Sequence, residues 1–289
     1  MRLQLAASIL IGLASANAAP VISELMFHPP HLDGRENPLR EWIEIHNPAS
    51  REIDLTGWQI TAGVSFTFPP VSISPGGYLV VAANREAFET LHPGVNAVVG
   101  DWTGRLSNRG ETIRLTDHTG MEIDRVDYAD SGDWATRHPG PDDRGHTGWV
   151  WHSPADGDGK TMELRNPALS NRTGQNWLPS TPELGTPGER NSAFTLNLPP
   201  LIEKVSHHPQ VPGPTDLVMV RARITDDLTT PTAVVRYRVS TLDPGAFRTI
   251  EMRDDGFLGD EIAEDRVFTA VLPAQPDRTV VEFYLEAFD

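Results

Sequence analysis

Glu41-Trp42-Ile43-Glu44-Ile45-His46-Asn47 is the stretch on which the fold turns. Ile43 and Ile45 point one way, and Trp42, Glu44 and His46 point the other. A period of two belongs to a strand with one face on a core. Thr112-Ile113-Arg114-Leu115-Thr116 repeats the pattern, and Tyr78 to Ala82 is a further apolar strand. Met121, Ile123, Val126 and Tyr128 change parity between Ile123 and Val126, as a β-bulge would. One short helix is expected at Arg85 to Leu91, with Asn84 as its N-cap and His92-Pro93-Gly94 as its stop. On this reading Trp42 lies on the polar or inter-element face, whereas Trp58, just after the Thr56-Gly57 turn, enters the core.

Composition agrees with many short strands. The 25 prolines and 24 glycines of the 289 residues break the chain too often for an all-helical protein. That length suits two domains. Cysteine is absent, which excludes disulfides, thiolate catalysis and Cys-based zinc sites together. A net charge of −16 repels phosphate backbones and anionic lipid heads, so nucleic acid is not an expected partner.

Arg2, the apolar run Leu3 to Leu13, and Ala16-Asn17-Ala18 read as a cleaved secretory signal peptide over residues 1–18. The mature chain would start near Ala19, without a transmembrane segment, and be exported. A loop-like, Trp-rich stretch runs from Ala129 to Lys160, and the Pro-rich stretch from Asn176 to Pro200 holds the domain boundary near Thr195. Beyond it Val218, Val220, Ala222 and Ile224 share one face, and Val235-Tyr237-Val239, Val267 to Leu272 and Val281-Phe283-Leu285-Ala287 continue the alternation. About seven strands in so short a span suit an immunoglobulin-like sandwich. The expected fold is therefore all-β: two immunoglobulin-like β-sandwich domains after the signal peptide, over residues 19–195 and 196–289.

Ile22-Ser23-Glu24-Leu25-Met26, Glu41 to Asn47, and Asp54-Leu55-Thr56-Gly57-Trp58 together resemble the lamin-tail domain family in its bacterial secreted form. Pro75-Gly76-Gly77-Tyr78-Leu79-Val80, Leu106 to Glu111, Gly157 to Leu164 and Gly185-Thr186-Pro187-Gly188 extend the likeness from about Val21 to Asn191. The resemblance implies an immunoglobulin-like sandwich and no catalytic residues. Asp254-Asp255-Gly256, Gly259-Asp260, Asp265 to Ala270 and Glu282 to Ala287 are similar to the immunoglobulin-like module that often follows such a domain in large bacterial exported proteins. There a spore-coat-protein-H-type kinase-like domain frequently comes next. Two functions follow: a secreted, non-catalytic binding or scaffolding pair whose partner is an extracellular protein or glycan, or the accessory front of a larger exported enzyme.

His28-Pro29-Pro30-His31 has the spacing of a metal-ligand pair but lacks a predictable third ligand. His138, His146 and His152 lie in the Trp-rich stretch with Trp134, Trp149 and Trp151, which is either a contact surface or a set of aromatic plugs. Hydrolase elbows, zincin motifs and phosphate loops are missing, and no enzyme is expected. Asn171-Arg172-Thr173 is a formal glycosylation sequon. The strongest candidate is the loop from Arg253 to Arg266, where Asp254, Asp255, Asp260, Glu264 and Asp265 are the expected ligands of a calcium ion. Its bland counterpart is a solvated acidic hairpin loop.

Overall fold

The computed structural model describes residues 18–31, 34–143, 146–226, 228, 230–240 and 245–289, giving the backbone alone for 137, 142, 143 and 146–149. The expected signal peptide, apart from Ala18, lies outside them. The described chain forms two compact units, one running up to Ala135 and resuming over Ser153–Phe194, the other comprising Thr136–His152 and Thr195–Asp289. No helix of the described residues is long and apolar enough to cross a membrane.

The first unit contains β1 (Val21–Met26), β2 (Trp42–His46), β3 (Ile53–Asp54), β4 (Gln59–Ala62), β5 (Phe66–Thr67), β6 (Ser72–Ile73) and β7 (Tyr78–Ala82). Helix α1 (Arg85–Leu91), β8 (Val98–Gly100), β9 (Gly110–Thr116) and β10 (Glu122–Ala129) follow. A hairpin of β11 (Thr136–Asp143) and β12 (His146–His152) comes next in the chain, then β13 (Met162–Leu164) and β14 (Trp177–Pro179). A six-stranded sheet in the order β14-β13-β1-β2-β7-β8 faces a four-stranded sheet in the order β10-β9-β4-β5. Ile22, Leu25, Ile43, Ile45 and Val81 of one sheet pack with Ile60, Ile113, Leu115, Val126 and Tyr128 of the other. A register shift between Ile22 and Glu24 lets Ile22 and Leu25, three positions apart, share that core. The parity change in β10 appears as a second register shift, between Glu122 and Asp124.

The large sheet is covered on its other face too. Asn84 caps α1 by accepting from the Ala87 N–H at 2.9 Å, and the helix lays Phe88 against Met26, Trp42, Val80 and Ala82. Trp42 is consequently buried, at 1% exposure, and meets Phe88 edge-on at 5.9 Å. Trp58, expected in the core, is only half-buried at its margin. Alternation correctly sorted Trp42 from the isoleucines; what it does not contain is whether the second face is wet or covered.

The stretch from Ala129 to Lys160 is not simply a loop. β11 and β12 form an antiparallel hairpin interrupted between Pro139 and Asp142, and it groups with the second unit. Pro139, Gly140 and Pro141 sit at that interruption, where a ladder tolerates them.

The rest of the second unit has six strands among the described residues: β15 (Leu201–His208), β16 (Val218–Thr225), β17 (Thr232–Val239), β18 (Arg248–Met252), β19 (Val267–Leu272) and β20 (Val281–Phe288). They form two antiparallel sheets, β15-β16-β19 and β18-β17-β20. Val220, Ala222 and Ile224 alternate inward from β16 and meet Ala233, Val235 and Tyr237 from β17 and Phe268, Ala270 and Leu272 from β19. Among the described residues the protein is all-β, with one short α-helix.

Candidate functional site

The acidic loop joins β18 to β19. Asp254, Asp260 and Asp265 each bring one carboxylate oxygen within 4.8 Å of the others. The loop achieves this by turning tightly: Gly256, Leu258, Gly259, Glu264 and Arg266 all have positive φ. Each carboxylate is anchored to the backbone. Asp254 accepts from the N–H groups of Asp265 at 3.1 Å and Arg266 at 2.9 Å. Asp260, 7% exposed, accepts from Gly256 at 2.6 Å, and Asp265 accepts from Val267 at 2.9 Å. Three carboxylates are hard oxygen donors, a set that fits calcium, with backbone carbonyls and water completing the 6–8 ligands calcium takes.

Of the five expected ligands the fold thus gathers three. Asp255 stands apart, accepting from the Phe257 N–H at 3.0 Å and lying 3.4 Å from the Arg253 guanidinium. Glu264 enters the loop through its backbone, whose N–H donates to the Asp254 carbonyl at 3.2 Å. Arg221 of β16 pins the loop from the side, bonding the Gly259 carbonyl at 2.8 Å and Glu261 at 2.7 Å.

The histidine candidates disperse. His28 pairs through Nδ1 with Asp156 at 2.6 Å, and the His31 ring is 5.6 Å away, yet among the described residues no metal-sized trio of ligands includes a histidine. His138 and His152 lie on β11 and β12, and the His146 side chain is outside the description. Of the tryptophans in that stretch, Trp134 is buried against Trp177 at 5.5 Å, Trp151 is 41% exposed, and the Trp149 side chain is outside the description. Asn171 of the sequon is buried, with its amide donating to Asp124 at 2.8 Å.

A second acidic group escaped the sequence reading. Glu24 of β1 pairs in register with Glu163 of β13 on one side and Glu44 of β2 on the other. All three have 0% exposure. Like charges directly opposite one another destabilise a sheet, and buried carboxylates need donors. Most of the donors come from the segment that closes the unit, with Thr161 and Ser23 adding one each. Glu24 accepts from Thr161 Oγ1 at 2.5 Å and the Thr186 N–H at 2.9 Å. Glu44 accepts from the Gly188 N–H at 2.6 Å and bonds Ser23 Oγ at 2.9 Å. Glu163 accepts from Thr186 Oγ1 at 2.8 Å, and from Ser192 Oγ and the Ala193 N–H at 2.7 Å each. Burial, followed by neighbouring carboxylates, pushes Glu24 well above the usual range; burial likewise raises Glu44 to about 8.

Residues 185–193 are therefore a strap laid across a row of three glutamates. Asn191 fastens its end by donating to the Ser23 carbonyl at 2.8 Å and the Leu164 carbonyl at 2.9 Å. Gly185 is obligatory for contact as well as for its φ of +81°, since a Cβ there would stand 2.2 Å from Glu24 Oε1. Glu41 and Asp124 do similar work elsewhere in the unit. Glu41, raised to about 8 by burial, accepts from the Leu106 N–H at 2.7 Å; Asp124 accepts from the Ile22 N–H at 2.6 Å. Each thus ties two segments together, Asp124 reaching strand β1 and Glu41 reaching Leu106 through Oε2, while Glu41 Oε1 is left without a hydrogen-bond partner among the described residues.

No curated protein and no solved structure matches the chain. A family model does, over residues 14–130, and its description is Lamin Tail Domain. The match spans the strands from β1 to β10 and supports the expected likeness there, whereas the expected extension to Asn191 and the module beyond it lie outside the match. Residues 14–130 of this chain are thus similar to the lamin tail domain, an immunoglobulin-like, non-enzymatic family.

Proposed function

We propose that the protein is an exported, non-catalytic binding or display protein, with a lamin tail domain as a rigid platform and a second β-sandwich stapled by calcium. The lamin tail domain match carries the first half of this reading. Its conspicuous ionisable groups, Glu24, Glu44 and Glu163, hold a strap in place and leave binding to the surface. The convergence of Asp254, Asp260 and Asp265 within 4.8 Å carries the second. In a chain of net charge −16 without disulfides, an ion there offsets repulsion and fixes a long loop at once. The partner is an extracellular protein or a glycan.

Expression with its leader in a bacterial host tests the export. The released protein should begin at Ala19, and cytoplasmic protein with residues 1–18 intact would refute it. Thermal unfolding of the full chain in millimolar calcium and then in chelator tests the staple. One transition should fall on chelation, and superimposable curves would remove calcium from the proposal.

A further inference from the structure

Trp58, left half-buried at the edge of the first core, forms one wall of a cavity of about 500 Å³ that is closed on one side by the stretch Ala18-Ala19-Pro20 and also lined by Arg51, Asp54, Thr56, Asp117 and His118. We propose that this cavity is a carbohydrate subsite, taking one or two rings of a neutral polysaccharide. The inference rests on the reading of the chain as a binding protein and gives that reading a place and a ligand class.

Two carboxylates are presented here in the same manner. Asp54-Leu55-Thr56-Gly57 and Asp117-His118-Thr119-Gly120 are two copies of one Asp-x-Thr-Gly turn. Asp54 Oδ1 accepts from the Thr56 N–H at 2.8 Å and its hydroxyl at 2.5 Å. Asp117 Oδ1 accepts from the Thr119 N–H at 2.8 Å, the Thr119 hydroxyl at 2.6 Å and the Met121 N–H at 3.0 Å. In both turns Oδ1 is committed to the backbone, and Oδ2 remains as a fixed acceptor. The two turns touch: a Cβ on Gly57 would stand 3.7 Å from that of His118. These same hydrogen bonds hold both acids below the usual carboxylate range, so the acceptors stay ionised.

The rim decides the ligand class. Two anions stand beside the Arg51 cation, an imidazole and, in a chain that begins at Ala19, the terminal ammonium, so an anionic ligand meets the aspartates and a cationic one meets Arg51 and that ammonium. A hydroxyl group is donor and acceptor at once and satisfies both kinds of neighbour. Its carrier needs an apolar C–H face for the indole of Trp58, with Ile53 and Ile123 behind. A pyranose ring has both properties, and the volume lies within the usual ~300–1,000 Å³ of small-ligand sites.

The test exploits the turns. In Asp54→Asn and Asp117→Asn the amide oxygen still accepts the turn hydrogen bonds, while the free acceptor becomes a donor. Cellohexaose, xylohexaose, mannohexaose and maltohexaose would be titrated into the full chain by calorimetry, with spermine and oligogalacturonate as charged probes. One or more neutral hexasaccharides should bind. The double variant should weaken that binding about tenfold or more, as expected for lost charge-assisted hydrogen bonds, with an unchanged melting midpoint. Trp58→Ala should abolish it. Neutral-glycan binding that survives the double variant would overturn the site while leaving a glycan-binding protein. Preference for spermine or oligogalacturonate, or no binding of any hexasaccharide at about 10 mM, where even −2.7 kcal/mol of affinity would show, would overturn the ligand class itself.

Discussion

The chain carries two groups of three carboxylates, and it treats them in opposite ways. Asp254, Asp260 and Asp265 come from a single loop of the second unit and converge on one point. Glu24, Glu44 and Glu163 come from three strands of the first unit, stand in a row, and are capped by hydroxyls and N–H groups of a distant strap. Both groups accept hydrogen bonds from their own backbone, but the first converges on one point of a mostly exposed loop, whereas the second is spread along a sheet and fully covered by the chain. Proximity of acids is therefore no measure of a metal site. What separates the two is whether the oxygens meet at a common point or are held apart and covered by their donors.

The largest effects should come from uncovering the strapped face. Trp42 shares that face with Glu44 and is fully buried against Phe88, so Trp42→Ala should cost the first unit about 3–5 kcal/mol. Trp58→Ala, at the half-buried rim, should cost far less in stability. Differential scanning calorimetry of the full chain would separate the two, and equal losses would mean that the α1 face is not the core it looks like. Gly185→Ala attacks the strap directly. Its Cβ would meet Glu24 Oε1 at 2.2 Å and adopt a left-handed φ, and we expect roughly 2–4 kcal/mol, an overpacking cost plus backbone strain. The second unit's transition should not move.

Calcium should act on the other unit. Saturation at about one hundred times the dissociation constant adds about 2.7 kcal/mol, which would shift only the transition containing the acidic loop. Asp260→Asn should reduce that shift more than Asp255→Asn, because Asp255 lies outside the converging trio. An equal reduction would place the ion elsewhere in the loop.

How far each group was legible in the sequence follows from the same contrast. The acidic loop could be found because its residues are contiguous, and chain connectivity alone keeps them together; which three converge depends on positive-φ turns at Leu258, Glu264 and Arg266, positions where composition gives no hint. The glutamate row could not be found, because each member occupies an alternating position that reads as solvent-facing. Gly185-Thr186-Pro187-Gly188 was visible as a motif, but nothing local ties its N–H groups to strands more than a hundred residues upstream. The β class, the α1 cap and the bulge in β10 were legible because periodicity and capping are local properties. The hairpin of β11 and β12 was not, since breaker residues mark an interrupted ladder and a loop alike.

The pH dependence of the glutamate row is the most discriminating test. Glu44 is pushed to about 8 from an ordinary value of 4.5, and Glu24 moves the same way. A carboxyl whose folded-state value is raised binds its proton more tightly in the native state. Its contribution is complete below about pH 4.5 and is lost as the pH climbs toward 8. The first unit should therefore weaken steadily from pH 5 to pH 8. Glu44→Gln reproduces the neutral acid: its carbonyl can accept from Gly188, and its amide can donate to Ser23 Oγ, where the protonated carboxyl would. At pH 5 the variant should lie within about 1 kcal/mol of the parent, the scale of one neutral hydrogen bond. By pH 8 it should be the more stable of the two, since it has no proton to lose. Midpoints measured across that range decide the matter. A variant whose slope matches the parent's would show that the glutamate row is not what the pH acts on, and a loss of several kcal/mol at pH 5 would show that Glu44 is already ionised in the folded protein there.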